Sequence, residues 1–197
     1  MELAAFRYSN GAWSRPLPPL DSSRTLVLAF ASTSYLDRPE ILAGLAAAFP
    51  HGIGGGGVTA GEIDQTAIRD GSLTAAAVRF ANTRVRQAHT RLVAPVGSFA
   101  AGEALAAELA ADDLRAVLVL SEGVHVNGSE LVQGLNTKLP AHVVVTGGLA
   151  GDGPRFARTW VLANGEPRVD TIVAIGLYGP SLRVTHGSQG GWDAFGP

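Results

Sequence analysis

The chain has 197 residues, 46% of them hydrophobic, which is enough for a globular protein with a substantial buried core. Its formal net charge of −2 excludes the strongly basic surface that binding to nucleic acid or to an anionic membrane requires, so neither partner is expected. Cysteine is absent, which excludes disulfides, thiolate catalysis and cysteine-bound metal clusters.

The N-terminus and the apolar strings predict a soluble, cytoplasmic protein. Residues 1–7 lack the basic-then-apolar order of a secretory signal. The longest apolar strings, residues 26–31 and 116–120, have the length of strands and are too short to span a bilayer. The sequence therefore predicts no association with a membrane.

Residues 24–92 are predicted to form a first β-α-β-β-β unit. The unalternating apolar run at residues 27–32 (VLAFAS) is typical of a strand that is buried on both faces. Asp37, with Glu40 three positions later, has the spacing of a helix capping box, and Pro50 ends the helical pattern that follows. The glycines of residues 52–57 favour a strand over a dinucleotide-binding loop, because the helix precedes them instead of following them.

A second unit with the same order is predicted at residues 115–191, after a bridging helix. The alanine-rich residues 98–114 have the spacing of an amphipathic helix. The buried strand, the helix cap and the proline stop recur about ninety positions later, at residues 117–122, Asn127 and Pro140. This matched order indicates an internal duplication within one domain that spans residues 1–197.

The predicted fold class is α/β, in the mixed α+β sense. A helical crossover in each half implies a parallel strand pair, and the strands that follow imply antiparallel pairs, so the sheets should be mixed. The second half is longer, and its extra residues are assigned to a hairpin at residues 158–166, where an Asn-Gly pair lies between apolar runs. We expect two β-α-β-β-β halves, with helices covering the sheets, in a layered sandwich with a pseudo-twofold axis.

Two matched turns are the first candidates for a ligand site. Residues 59–62 (TAGE) and 148–152 (GLAGD) place a carboxylate beside glycine at the end of a strand. Strand ends are where α/β folds bind ligands, and the amides of small-residue turns can bind anions. The alternative is a tight turn whose carboxylate caps nearby amides. The candidate ligand-binding residues of these turns are Thr59, Gly61, Glu62, Gly148, Gly151 and Asp152.

The C-terminal stretch supplies three further candidates. Residues 182–193 alternate as a strand does and then become rich in glycine, a pattern that could line a pocket or dock another domain. His186, Ser188 and Trp192 are therefore added to the candidate ligand-binding residues. An ordinary C-terminal strand and turn is the alternative.

The histidines are the remaining nitrogen ligands for a metal or for haem iron. His89 and His186 occupy matched positions in the two halves. No histidine pair has the H-x-x-x-H or H-E-x-x-H spacing, and a surface or hydrogen-bonded structural role is the alternative for each. No metal site is predicted.

The sequence predicts that the protein is not an enzyme. The nucleophile motif G-x-S-x-G is missing, and Ser121, which follows a buried strand, has no second glycine and no traceable base. A hydrolase whose residues converge only in space is the alternative.

The sequence resembles the N-terminal region of the FIST sensory domain, a family found mainly in bacterial signal-transduction proteins. The resemblance is strongest at residues 126–132 (VNGSELV), 145–153 (VTGGLAGDG) and 186–197, with residues 59–62 as the matching turn of the first half. It implies a sensor of a small molecule such as an amino acid, without catalytic residues and without a cofactor. A haem-binding nitric oxide sensor is the alternative. It also implies, as partners, a C-terminal FIST domain and a histidine kinase or a cyclic-di-GMP enzyme.

Overall fold

The structure, a computed structural model, describes residues 1–92, 97–185 and 187. The helices are α1 (Pro39–Ala48), α2 (Ser98–Leu109) and α3 (Gly128–Lys138), and short 3-10 turns lie at Thr33–Asp37 and Gly153–Arg155. In chain order the strands are β1 (Glu2–Ser9), β2 (Ala12–Trp13), β3 (Thr25–Ala31), β4 (Ile53–Val58), β5 (Glu62–Asp64), β6 (Ala67–Arg69), β7 (Leu73–Arg79), β8 (Arg84–Arg91), β9 (Leu114–Ser121), β10 (Val144–Leu149), β11 (Val161–Ala163), β12 (Glu166–Arg168) and β13 (Thr171–Tyr178).

Two mixed sheets form the centre of the fold. The first has the strand order β12-β11-β4-β3-β7-β1-β2, the second has the order β10-β9-β13-β8, and β5 and β6 form a separate hairpin. The pairs β3–β4 and β9–β10 are parallel and are joined by the crossover helices α1 and α3, whereas the other pairs are antiparallel. This arrangement confirms the predicted fold class.

Three apolar clusters define four layers. α1 packs on the outer face of the first sheet through Leu42 and Leu45, together with Phe49, which follows the helix. α2 and α3 pack on the outer face of the second sheet through residues such as Leu105 and Leu135. The inner faces of the two sheets meet through a third cluster, which contains Leu26, Leu120, Val161, Val173 and Ile175. The strands β3, β9 and β13 are buried on both faces, which explains their unbroken apolar sequences.

The two halves share one order of elements, with β3, α1, β4, β5–β6 and β7 in the first and β9, α3, β10, β11–β12 and β13 in the second. A glycine marks the same point in both parallel pairs: Gly56 lies opposite Ala29, and Gly147 lies opposite Val119. Both glycines have positive φ, and a Cβ at Gly147 would lie 1.7 Å from the Val119 carbonyl oxygen. A duplication predicts such matches, and the duplication itself stays a prediction.

The halves nevertheless exchange strands. β8 follows β7 in the chain but pairs with β13 in the second sheet. The hairpin β11–β12 belongs to the second half but pairs with β4 at the edge of the first sheet. Each sheet therefore contains strands from both predicted repeats, residues 24–92 and 115–191.

Several boundaries differ from the sequence predictions. The first half contains a hairpin, β5–β6, that the sequence does not predict, so the order of its elements is not β-α-β-β-β. The turn of this hairpin lacks glycine and instead places Gln65 at φ +58°. The bridging helix, predicted at residues 98–114, ends at Leu109, before Asp112 and Asp113, whose charges would be unfavourable in the last turn of a helix. The extra length of the second half lies mainly in the connector at residues 150–160 rather than in its hairpin.

Two further details of the helices and the C-terminal stretch concern the predicted caps and strand. Asn127 caps α3 as predicted, accepting hydrogen bonds from the amides of Ser129 and Glu130. α1 instead begins with Pro39 after Arg38, without a side-chain cap. Residues 182–185 form no strand, contrary to the alternating pattern, and residues 186 and 188–193 of that stretch lie outside the described residues.

Candidate functional site

β10 is an edge strand of the second sheet, and a cavity opens on each of its faces. On the inner face, between the two sheets, lies a cavity of about 340 Å³, which we call the inter-sheet pocket. On the outer face, between β10 and α3, lies a groove of about 910 Å³, which we call the helix groove. The glycines at positions 147 and 148 leave both faces of the strand with little side-chain cover.

The inter-sheet pocket has the composition of a small-molecule site. Its walls are mainly apolar, and hydroxyl groups and edge-strand backbone supply a few polar atoms. Two of the predicted site residues, Thr59 and Gly148, line it, one from each half of the chain. The side chains that form its walls include Phe30, Leu118, Leu120, Ser121, Thr146 and Val161.

Ser121 is the most informative residue of this pocket. It ends β9, is only 1% exposed, and lines both the inter-sheet pocket and the helix groove. Its hydroxyl has no hydrogen-bond partner within the described residues. A buried hydroxyl without a partner costs about 1–3 kcal/mol, so a bound molecule that pairs with it gains that free energy.

In the sequence, Ser121 is a candidate only for a nucleophile and is not among the predicted ligand-binding residues. The available signal was its place at the carboxyl end of a buried strand, where α/β folds bind ligands. No histidine within the described residues bonds to its hydroxyl, so the nucleophile-to-base contact of an acyl-transfer site is not formed there.

The Thr59–Glu62 turn uses its carboxylate inside the fold. Glu62 is 1% exposed and accepts hydrogen bonds from the Thr59 hydroxyl at 2.9 Å and from the Ser72 amide and hydroxyl, each at 3.1 Å. These contacts tie the end of β4 to the start of β7. Glu62 and Gly61 line neither the inter-sheet pocket nor the helix groove.

The second acidic turn has a similar local role. Asp152 is buried and accepts hydrogen bonds from the amides of Ala157 at 2.8 Å and Arg158 at 3.0 Å, which closes the loop after β10. The Gly151 amide donates to the Val58 carbonyl at 3.2 Å and so links the ends of β10 and β4 beside the inter-sheet pocket. Of the three predicted residues of this turn, Gly148 alone lines the two cavities.

The hydrogen bonds to Asp152 make the folding stability of the protein depend on pH in the acidic range. The hydrogen bond from the Arg158 amide, followed by that from Ala157, lowers the pKa of Asp152 below its ordinary value of 3.8. A lowered folded-state pKa adds stability that is fully present above the unfolded value and is lost as pH falls through the folded value.

We therefore expect Asp152→Asn to be less stable than the wild type above pH 3.8 and to approach wild-type stability in stronger acid. Urea denaturation across an acidic pH series measures this difference. Asp112→Asn, at an exposed position, is the matched control and should show no such pH dependence. A stability difference between Asp152→Asn and wild type that stays constant with pH would contradict the assignment.

Glu122 is a third buried carboxylate, and the sequence did not single it out. It accepts hydrogen bonds from the amides of Val124 at 2.9 Å and His125 at 2.6 Å and from the Thr159 hydroxyl at 3.4 Å. Glu122 thus orders the turn that leads from β9 to the cap of α3.

The histidines are scattered over the fold. His51 pairs with Asp21 at 2.7 Å, His125 lies 3.4 Å from Glu122, and His142 lies 3.4 Å from Arg115. None of the four described histidines lines the inter-sheet pocket or the helix groove, so neither cavity offers haem an imidazole ligand from residues 1–92 or 97–185. Within those ranges no three His, Asp or Glu residues are grouped so that they could hold a metal ion.

Three predicted site residues, His186, Ser188 and Trp192, lie outside the described residues. His89, which the sequence paired with His186, lies on β8 and borders a different surface cavity together with Arg91 and Arg168.

In the described part of the chain, the longest and most apolar helices still fall short of what a membrane crossing demands.

Comparison with known proteins places most of the chain in one family. The family model described as the FIST N domain matches residues 25–197, which includes every element from β3 onward. No curated protein matches the chain.

Proposed function

Because the chain belongs to the FIST N domain family, which is associated with sensing in signal transduction, we propose that it is a ligand-sensing module and that the inter-sheet pocket is its binding site. The observation that carries this proposal is Ser121, a residue that lines the pocket and whose buried hydroxyl has no partner among the described residues. A bound small molecule supplies that partner.

The pocket's chemistry indicates which part of a ligand it holds. Its described lining contains no charged side chain, and a charge buried without a partner is costly. The ligand therefore places a neutral or apolar portion between the sheets. Its polar group bonds to Ser121 or to the hydroxyl of Thr59 or Thr146, and any charged group stays at the open mouth. An amino acid with an apolar side chain has this distribution.

A thermal-shift panel of amino acids and their uncharged analogues tests the proposal. A specific ligand should raise the melting temperature progressively as its concentration exceeds the dissociation constant. At a concentration one hundred times the dissociation constant, binding increases the free energy of unfolding by about 2.7 kcal/mol. We expect Ser121→Ala to fold normally, since it removes an unpaired hydroxyl. Its apparent affinity for the ligand, obtained from the melting-temperature shifts, should be roughly tenfold weaker than that of the wild type.

Val132→Ala is the matched control, because Val132 lines the helix groove and not the inter-sheet pocket. It should respond to the ligand as the wild type does. If no compound raises the melting temperature of the wild type, or if Ser121→Ala and the wild type respond equally, the inter-sheet pocket is not the sensing site.

Family membership also supports a place in a signalling chain. We propose a cytoplasmic module whose partners are a C-terminal FIST domain and a histidine kinase or a cyclic-di-GMP enzyme. Co-purification of the tagged full chain with candidate partners, with and without the ligand found by thermal shift, tests this part of the proposal.

A further inference from the structure

The first sheet shows how an edge strand of this fold is covered. The hairpin β11–β12 lies along β4, where Val161 pairs with Gly57 and the Val58 amide donates to the Trp160 carbonyl at 3.0 Å. At the centre of β11, Leu162 is only 3% exposed and packs into the cluster beneath α1. One hairpin thus closes both the strand edge and the space between that strand and its helix.

β10 is the counterpart of β4 but lacks such a cover within the described residues. A Cβ at Gly57 would meet the Trp160 carbonyl oxygen at 2.9 Å, whereas a Cβ at Gly148, the matching position, would meet no atom of the described residues within 4 Å. The helix groove lies between β10 and α3, and Leu162 packs with the corresponding elements of the first half, β4 and α1. Its rim carries two exposed apolar side chains, Val132 and Leu149.

The chain also contains a hairpin of the matching type that covers no strand edge among the described residues. β5–β6 has three residues, a two-residue turn and three residues, as β11–β12 has, and each hairpin is followed by a residue of positive φ, Gly71 or Asp170. Ile63, the counterpart of Leu162, is 69% exposed, and Ile68 on β6 is exposed as well. An ion pair between Arg7 and Asp64 holds the hairpin against the first sheet with these side chains in solvent.

We propose that β5 of one copy of this protein pairs antiparallel with β10 of a second copy and inserts Ile63 into the second copy's helix groove. Backbone hydrogen bonds supply affinity in such strand addition, and the inserted side chain supplies specificity. Each copy presents both the β5–β6 hairpin and the β10 edge, so two copies that pair reciprocally form a dimer with twofold symmetry.

A side chain on β10 limits how closely the turn of the incoming hairpin can approach that strand. A Cβ at Gly54 would lie 2.9 Å from the Gly165 backbone in the hairpin turn, and Val145 occupies the matching position on β10. The turn of an incoming hairpin therefore lies farther from β10 than Gly165 lies from β4. The contact is centred on Gly148 and on the Ile63 side chain.

Sedimentation velocity over a wide range of protein concentration tests the proposal. The wild type should form a dimer, and Ile63→Asp should weaken dimerisation roughly tenfold to a hundredfold, because it removes an isoleucine that the dimer buries and places a charge in the groove. Leu3→Asp, at an exposed apolar position on β1, is the matched control and should dimerise as the wild type does. A monomer at every concentration, or equal dimerisation of Ile63→Asp and wild type, overturns the proposal.

Crosslinking identifies the surfaces directly, because the chain has no cysteine. Ile63→Cys and Val132→Cys are mixed and treated with a short thiol-reactive linker. Since each variant has a single cysteine, a link between positions 63 and 132 necessarily joins two copies. We expect this link to form many times faster than one between Leu3→Cys and Val132→Cys, and equal rates would show that the hairpin and the groove do not meet. Neither experiment requires the sensed ligand, so its outcome is independent of the proposed function.

Discussion

Gly134→Ala is expected to lower the free energy of unfolding by about 1–3 kcal/mol, because the added methyl group overpacks the contact between α2 and α3. A Cβ at Gly134 would lie 2.0 Å from the Phe99 carbonyl oxygen, and a Cβ at Gly102 on α2 would likewise lie 2.4 Å from the Leu131 carbonyl oxygen on α3. The two helix backbones must separate to admit the methyl group, and that separation loosens the cluster around Leu105 and Leu135. Urea denaturation followed by circular dichroism measures the change.

The same substitution in α1 provides an internal control with the opposite sign. Gly44 is the residue that the sequence matches to Gly134, but it is exposed, and a Cβ there would meet no described atom within 4 Å. Alanine at position 44 restricts the unfolded chain without a clash and is expected to stabilise the protein by about 0.5–1 kcal/mol. If both variants shift stability in the same direction, the close approach of α2 and α3 is wrong.

Glu62→Ala is expected to lower the free energy of unfolding by about 3 kcal/mol, since it leaves the Ser72 amide and two hydroxyls buried without their carboxylate acceptor. The loss should appear in both thermal and urea denaturation. It should also increase proteolysis near the β5–β6 hairpin, because these bonds fix the hairpin's base.

Glu166→Ala, on the exposed strand β12, is the matched control and should change stability by less than about 0.5 kcal/mol. Ligand titration of the folded Glu62→Ala protein separates structure from binding. An unchanged dissociation constant supports a local structural role for Glu62, whereas a lost response in a protein of wild-type stability would return it to the binding site.

Features that depend on local sequence were predictable. Unbroken apolar runs located β3 and β9 because both strands are buried on two faces, and Asn127 capped its helix as its short side chain favours. The glycines of β4 were correctly placed in a strand, where they allow the close approach of β11. Each of these signals acts over a few neighbouring residues.

Features that depend on distant partners were not predictable. The exchange of β8 and β11–β12 between the sheets is decided by which edges meet in space, and no local pattern encodes that choice. The hairpin β5–β6 lacks a turn glycine and is held by Arg7, which lies on β1. Gly44 and Gly134 look alike in sequence and differ only in what packs against them.

The candidate site shows the same division. The acidic turns were located correctly as turns at strand ends, but Glu62 and Asp152 direct their oxygens to local amides and hydroxyls, a pattern that also suits the alternative of a capped tight turn. The cavities flank β10 because that strand is an edge, which is a property of sheet order rather than of sequence. Ser121 gains its significance from burial without a partner, which only three-dimensional packing reveals.

The exchange of strands between the two sheets makes each half of the chain depend on the other for its folding. A fragment limited to the first half would keep β8 without the sheet it joins and would leave β4 uncovered, and a fragment of the second half would keep β11–β12 without an edge to bind. Unpaired strands of this kind promote aggregation. The interlocked halves should therefore unfold in one cooperative transition despite their separate apolar clusters. Neither half is expected to fold as an isolated fragment.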